Sequence, residues 1–180
     1  AAELTPIFDA ATAIAIGPGW GVGPAQQSAL VQALASAKPL VIDADGLNNL
    51  ATMPGWAARG SAPIVLTPHP GEFAKLSGRT VEAITADRQL AAVEYAREIN
   101  SGVAEGREIV VVLKGAGTIV TDGQQVYTNL TGNAGLATGG TGDVLTGLIA
   151  GRIAAGETAF EAAVQATFLH GLAADMAAKE

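Results

Sequence analysis

The chain has 180 residues, 49% of them apolar and only 4% aromatic, which excludes general disorder and is enough for one domain with a sizeable core. A net charge of −7 with no Lys/Arg cluster argues against a nucleic-acid partner. The lack of cysteine and the presence of only two histidines remove disulfides and thiolate or His-rich zinc sites. No apolar run is long enough to span a bilayer and the N-terminus has no basic leader, so a soluble cytoplasmic protein is expected.

Residues 1–11 carry little signal. Thr12–Ile16 is a short apolar run stopped by Gly17, Gly19, Gly21 and Gly23, which predicts a strand entering a glycine loop. Pro24 suits the first turn of a helix whose apolar face includes Leu30, Val31 and Leu34. Pro39–Ile42 predicts a second buried strand, ending in Asp43 and Asp45, with a short helix at Leu47–Ala51. Ala62–Leu66 predicts a third strand, followed by the rigid loop Thr67–Glu72 and a helix from Phe73. Thr80–Asn100 has the spacing of one long helix, with Val81, Ile84, Leu90, Ala91, Val93 and Ala96 on its apolar face. Glu108–Leu113, the most β-branched run, predicts a central strand that ends at Lys114. Thr118–Thr121 and Gln125–Thr128 flank Asp122-Gly123, a hairpin signal. Val144–Ile153 predicts a buried helix, with Gly147 and Gly151 packed closely on a neighbour, and Thr158–Lys179 an Ala-rich closing helix.

Alternating strands and helices imply right-handed crossovers and a mostly parallel sheet flanked by helices, with a late hairpin. The class is α/β, and no linker or composition break divides residues 1–180. Ligands of such sheets bind beyond the carboxyl ends of the strands. Five polar or glycine-rich loops follow predicted strands, and parallel topology puts most of them on one edge. That convergence points to a nucleotide-type site.

The strongest single stretch is Gly132–Gly151. Glycines at 132, 135, 139, 140 and 142 precede Asp143 at a helix start. A helix N-terminus with exposed amides attracts phosphate, and one carboxylate beside it suits a base acting on a hydroxyl near a phosphoryl donor. Asp143 alone would also suit a helix cap. Asp43 and Asp45 equally suit metal or ribose contacts, or capping. Lys114 could hold a polyphosphate at the sheet edge, although taken alone it reads as a surface lysine in a strand-connecting turn; Glu72 could hold hydrated Mg²⁺ or be a first-turn helix acid. A dinucleotide fingerprint fails, because Val22 and Pro24 stand where its third glycine belongs, and the Walker lysine motif is absent.

The blocks IAIGPGWG, VIDADGLNNL, VLTPHPGEFAKL, VVLKGAGTIV and GNAGLATGGTGDVLTGLIAG resemble, in order and spacing, the ADP/ATP-dependent NAD(P)H-hydrate dehydratases of the ribokinase-like superfamily. The likeness runs from about Thr12 to the C-terminus. It implies a ribokinase-like fold and a repair reaction, in which the nucleotide phosphorylates the C6 hydroxyl of hydrated NADH or NADPH and phosphate is then eliminated. It implies Asp143 as the base beside the substrate, and an anion hole from Gly140, Thr141 and Gly142. Lys114, Gly115, Ala116, Gly117 and Thr118, with Gly142, would contact ADP or ATP. His69 and the loop of Gly17, Gly19 and Gly21 would contact the hydrated dinucleotide, and Glu72 would help organise Mg²⁺. Family members carry a further N-terminal segment, and often a fused epimerase domain, before this point. The chain is therefore expected to correspond to an N-terminally truncated domain. An open edge at Thr12–Ile16 would favour a homo-oligomer, or a complementing N-terminal chain or epimerase partner. A small-molecule kinase of the same superfamily and a non-catalytic adenine-nucleotide-binding module are the alternatives.

Overall fold

The computed structural model describes residues 4–179; residues 1–3 and 180, the ends of the expected domain, lie outside them. The elements run α1 (Thr5–Ala10), β1 (Ile14–Ile16), α2 (Pro24–Ala35), β2 (Leu40–Ile42), α3 (Ala44–Leu50), β3 (Ile64–Leu66), α4 (Pro70–Ser77), α5 (Val81–Ala86), α6 (Arg88–Ser101), β4 (Ile109–Leu113), β5 (Ile119–Thr121), β6 (Val126–Thr128), α7 (Thr141–Ala154) and α8 (Ala159–Ala177). The six strands form one sheet in chain order. β1 to β4 are parallel, β5 is antiparallel to β4, and β6 turns back against β5. β6 therefore runs in the direction of β1 to β4, and its carboxyl end joins theirs.

Alternation along the strands divides the core into two layers. Leu40, Ile42, Ile64, Leu66, Ile109, Val111 and Leu113 face the layer of α2 to α6, where they meet Leu30, Leu34, Phe73 and Ile84. Val41, Val65, Val110, Val112 and Val120 face α7 and α8, against Leu145, Ile149, Ala162, Ala163 and Ala166. Valine on the sheet and alanine on α8 let backbone layers approach closely, which is how a core so poor in aromatics is filled.

Several expectations need correction, among them the helix after β3, which begins at Pro70 rather than Phe73. The long helix over Thr80–Asn100 is two helices, α5 and α6, because Asp87 accepts from the Leu90 amide at 2.9 Å and caps a new start; Val81 and Leu90 are exposed as a result, as is Val31 on α2. Residues 5–10, unassigned from sequence, form α1, held by burial of Phe8. The helix after β2 begins at Ala44 rather than Leu47. α7 is buried on one face only: Leu145, Thr146, Ile149 and Ile153 are covered, whereas Val144 is 62% exposed. Gly147 and Gly151 lie on the open side, and a Cβ at either would meet nothing, so neither serves close helix packing.

Candidate active site

The carboxyl ends of β1, β2, β3 and β4 are stitched into one rim by backbone bonds. The Asp43 amide donates to Ile16, the Thr67 amide to Ile42, both at 3.1 Å, and the Lys114 amide to Pro68 at 2.8 Å. At the rim's centre Asp43, 1% exposed, accepts from Lys114 Nζ at 2.6 Å through Oδ1 and from Thr146 Oγ1 at 2.8 Å through Oδ2. Three distant segments thus share one buried carboxylate. Asp43 occupies the N-cap position of α3 without capping it through its side chain. Ala44 beside it holds φ at 47°, the one non-glycine with positive φ among the described residues, a strained turn of the kind that collects at functional sites.

Asp45 and Asn49 brace the first glycine loop. The Gly21 amide donates to Asp45 Oδ2 at 2.8 Å, and Asn49 Nδ2 donates to the Gly21 carbonyl at 3.0 Å. Gly17 has a packing role: at φ 126° a Cβ there would lie 1.8 Å from the Asp43 carbonyl oxygen. His69 and Glu72 form a capping box on α4. The His69 amide donates to Glu72 Oε2 at 2.8 Å, and His69 Nδ1 accepts from the Gly71 and Glu72 amides. Glu72 lies 4.0 Å from Lys114 Nζ. Among the described residues no three His, Asp or Glu side chains gather into a metal-holding group.

Two cavities open on this rim. The larger, of about 590 Å³, is lined by the Lys114–Thr118 loop, by residues 129–134 after β6, by Thr141 and Gly142 of α7, and by His170 of α8. Asn129 Nδ2 donates to the Thr167 carbonyl at 3.3 Å and Thr131 Oγ1 to the Phe168 carbonyl at 2.9 Å, which fastens the post-β6 segment to α8. Burial pushes the His170 imidazole below its ordinary pKa, offset in part by the neighbouring Thr141 backbone. The smaller cavity, of about 450 Å³, is lined by Gly17, Pro18, Trp20, Asp143, Thr146 and Gly147, with Leu4 and Phe8 of the N-terminal turn. Gly142 thus lines one cavity and Asp143, the next residue, lines the other. Asp143 is the third residue of α7, after its N-cap Gly140, with its carboxylate exposed.

Of the residues singled out from sequence, Lys114–Thr118, Thr141 and Gly142 meet at the larger cavity, and Gly17 and Asp143 at the smaller. Gly19, Gly21, His69, Glu72 and Gly140 line neither. Sequence reasoning missed Thr146, Arg88, Asn129 and His170. Asp87 in front of Arg88 was a readable cap signal; nothing in the sequence marks Thr146.

A family model described as NAD(P)H-hydrate dehydratase matches residues 1–180. The chain belongs to the NAD(P)H-hydrate dehydratase family. A bifunctional NAD(P)H-hydrate repair enzyme of Moorella thermoacetica is 45% identical over 170 residues, 93% of this chain and 30% of that protein. An ADP-dependent (S)-NAD(P)H-hydrate dehydratase of Neisseria meningitidis is 45% identical over 166 residues, 89% of this chain and 53% of the relative. The crystal structure of the ADP/ATP-dependent NAD(P)H-hydrate dehydratase of Bacillus subtilis, co-crystallised with ATP/Mg²⁺, superposes with a TM-score of 0.82 at 35% identity, covering 94% of this chain and 57% of that one. The fold is the ribokinase-like one expected. This member of the dehydratase family spans about a third to a half of the length of these curated relatives. No helix among its described residues is long and apolar enough to cross a membrane.

Proposed function

We propose that the chain forms one domain that carries the nucleotide site and part of the dinucleotide site of an ADP/ATP-dependent NAD(P)H-hydrate dehydratase. The placement of Gly142 and Asp143, consecutive residues facing separate cavities, carries this reading. A nucleotide in the larger cavity would bring its terminal phosphate to the α7 N-terminus, where the helix dipole and the amides of residues 140–142 favour negative charge. Hydrated NADH or NADPH would approach from the smaller cavity, past Gly17, with its C6 hydroxyl beside Asp143. Gly19, Gly21 and His69 extend that surface along the rim.

Asp143 then acts as general base, accepting the hydroxyl proton as the oxygen attacks the terminal phosphorus, whose phosphoanhydride bond breaks to release the nucleotide shortened by one phosphate. The C6–O bond breaks with phosphate as the leaving group, a ring proton is lost, and the dihydronicotinamide is restored. Phosphate leaves far more readily than hydroxide, which is why a nucleotide is consumed. Lys114, held by Asp43, offers a point charge to the transferring phosphate. Mg²⁺ would neutralise phosphate charge; with few carboxylates present it would come bound to the nucleotide and keep water ligands, Glu72 being a neighbouring carboxylate near Lys114. The same reading includes a cytoplasmic setting and association into an oligomer, or with a complementing chain or epimerase partner, along the β1 edge; the half-open α7 supports it.

A second reading, an adenine-nucleotide-binding module without turnover, is favoured by the exposure of Asp143 and Val144 beside the smaller cavity. Incubating the chain with hydrated NADH, Mg²⁺ and ADP or ATP separates the two. Recovery of reduced-nicotinamide absorbance supports the dehydratase. Nucleotide-dependent thermal stabilisation without recovery supports the module, and a stable phosphorylated product would mark a kinase.

A further inference from the structure

The loop from Lys114 to Thr118 has an unusual division of its polar groups. The carbonyls of Gly115, Ala116 and Gly117, and that of Leu113 just before the loop, are engaged: Arg88 Nη2 donates to Leu113 O at 2.9 Å, Arg88 Nη1 donates to Ala116 O and, at 3.3 Å, to Gly117 O, and Thr118 Oγ1 donates to Gly115 O at 3.0 Å. The amides of Gly115, Ala116 and Gly117 donate to no acceptor among the described residues. The loop borders the larger cavity. Acceptors tied back and donors left free are what a backbone needs to receive an anion.

Arg88 is the first residue of α6, immediately after the cap at Asp87. The helix break therefore aims its side chain at the end of β4, twenty-five residues away in sequence from Leu113. Gly115, at φ 146°, wraps so tightly that a Cβ would lie 2.8 Å from Nη2. Arg88 Nε is buried without a partner among the described residues, so the guanidinium is placed for these carbonyls at the expense of its own satisfaction.

We infer that Arg88 is the positioning residue of the nucleotide loop: its planar fork gathers the carbonyls of Leu113, Ala116 and Gly117 and leaves the intervening amides for the phosphates of an adenine nucleotide. The inference rests on the nucleotide-site reading of the larger cavity. Lysine cannot replace Arg88 here, because a single ammonium lacks the two-armed geometry that spans carbonyls on both sides of the loop.

The test is isothermal titration calorimetry of ADP into the parent chain, Arg88→Lys and Arg88→Ala, with thermal melting of each. Arg88→Lys keeps the charge and most of the volume, and is expected to weaken ADP binding about tenfold. Its affinity for hydrated NADH should stay within about twofold, a split that general loosening of the fold would not produce. Low millimolar guanidinium should restore ADP affinity to Arg88→Ala; if that variant does not fold, Arg88→Lys decides. An Arg88→Lys chain that binds ADP as tightly as the parent overturns the inference alone. A parent that takes up no ADP overturns the nucleotide-site reading and this inference with it.

Discussion

Lys114 and Asp43, 71 residues apart in sequence, meet at 2.6 Å with the carboxylate 1% exposed and the ammonium reaching it from the end of β4. Thr146 of α7 takes the other carboxylate oxygen. The pair therefore locks β2, β4 and α7 in the positions on which both cavities depend. Asp43→Asn keeps the shape and removes the charge, leaving the ammonium only the more distant Glu72 carboxylate, at 4.0 Å, as counter-ion. The expected cost is about 2–3 kcal/mol of folding stability, read from urea unfolding. A Lys114→Met, Asp43→Asn double variant should lose less than the sum of the singles. Strict additivity would remove the coupling.

Asp143 behaves differently, because its carboxylate is exposed and bonds to no described neighbour. Asp143→Asn should change stability by no more than about 1 kcal/mol, the size of a helix-dipole contribution. Recovery of NADH from its hydrate should fall by about a hundredfold or more, as the proposed role of Asp143 as base requires. Thermal melts and the absorbance assay on the same preparation check both halves. A fully active Asp143→Asn variant would dismiss the base assignment.

Two glycines with opposite surroundings give opposite expectations. Gly17→Ala drives a methyl into the Asp43 carbonyl at a positive φ, and should destabilise by more than about 2 kcal/mol. Gly151→Ala sits in the exposed interior of α7 with nothing within 4 Å, and should stabilise by about 0.5–1 kcal/mol through helix propensity. Chemical denaturation of both variants is the measurement. A loss at Gly151 would indicate that something packs on that face.

The pH dependence has a sign that follows from His170. Its folded pKa lies below the unfolded value because burial disfavours the imidazolium. Between the two values the unfolded chain binds more protons, so stability rises with pH there. The His170 contribution is complete above the unfolded pKa of about 6.5 and is lost as pH falls through the folded value. From about pH 8 to about pH 5 the melting temperature of the parent should fall relative to that of His170→Gln. Parallel curves would refute the assignment.

Much of this architecture was legible in one dimension. The buried strands announce themselves by runs such as Glu108–Leu113, and the hairpin by Asp122-Gly123, because local sterics and alternation act over a few residues. The loops that end the parallel strands were readable for the same reason, and so was the edge on which Lys114 and Asp143 converge. The break at Asp87 was less visible: apolar spacing continues across it, and a cap competes with propagation by only about 1 kcal/mol. Burial of α7 was overestimated because an apolar helix looks the same whether one face or all of it is covered.

Local composition by itself determined most of the segments that become strands, helices and glycine loops, and that the loops after the parallel strands would share a rim. Only the folded chain decided that Asp43 turns away from capping α3 to bind Lys114 and Thr146, that Arg88 reaches the carbonyls after β4, and that Gly142 and Asp143 face different cavities. Those contacts join residues far apart along the chain. Their partners are chosen by the register of the sheet and the seating of α6 and α7 on it, and no short-range preference encodes either.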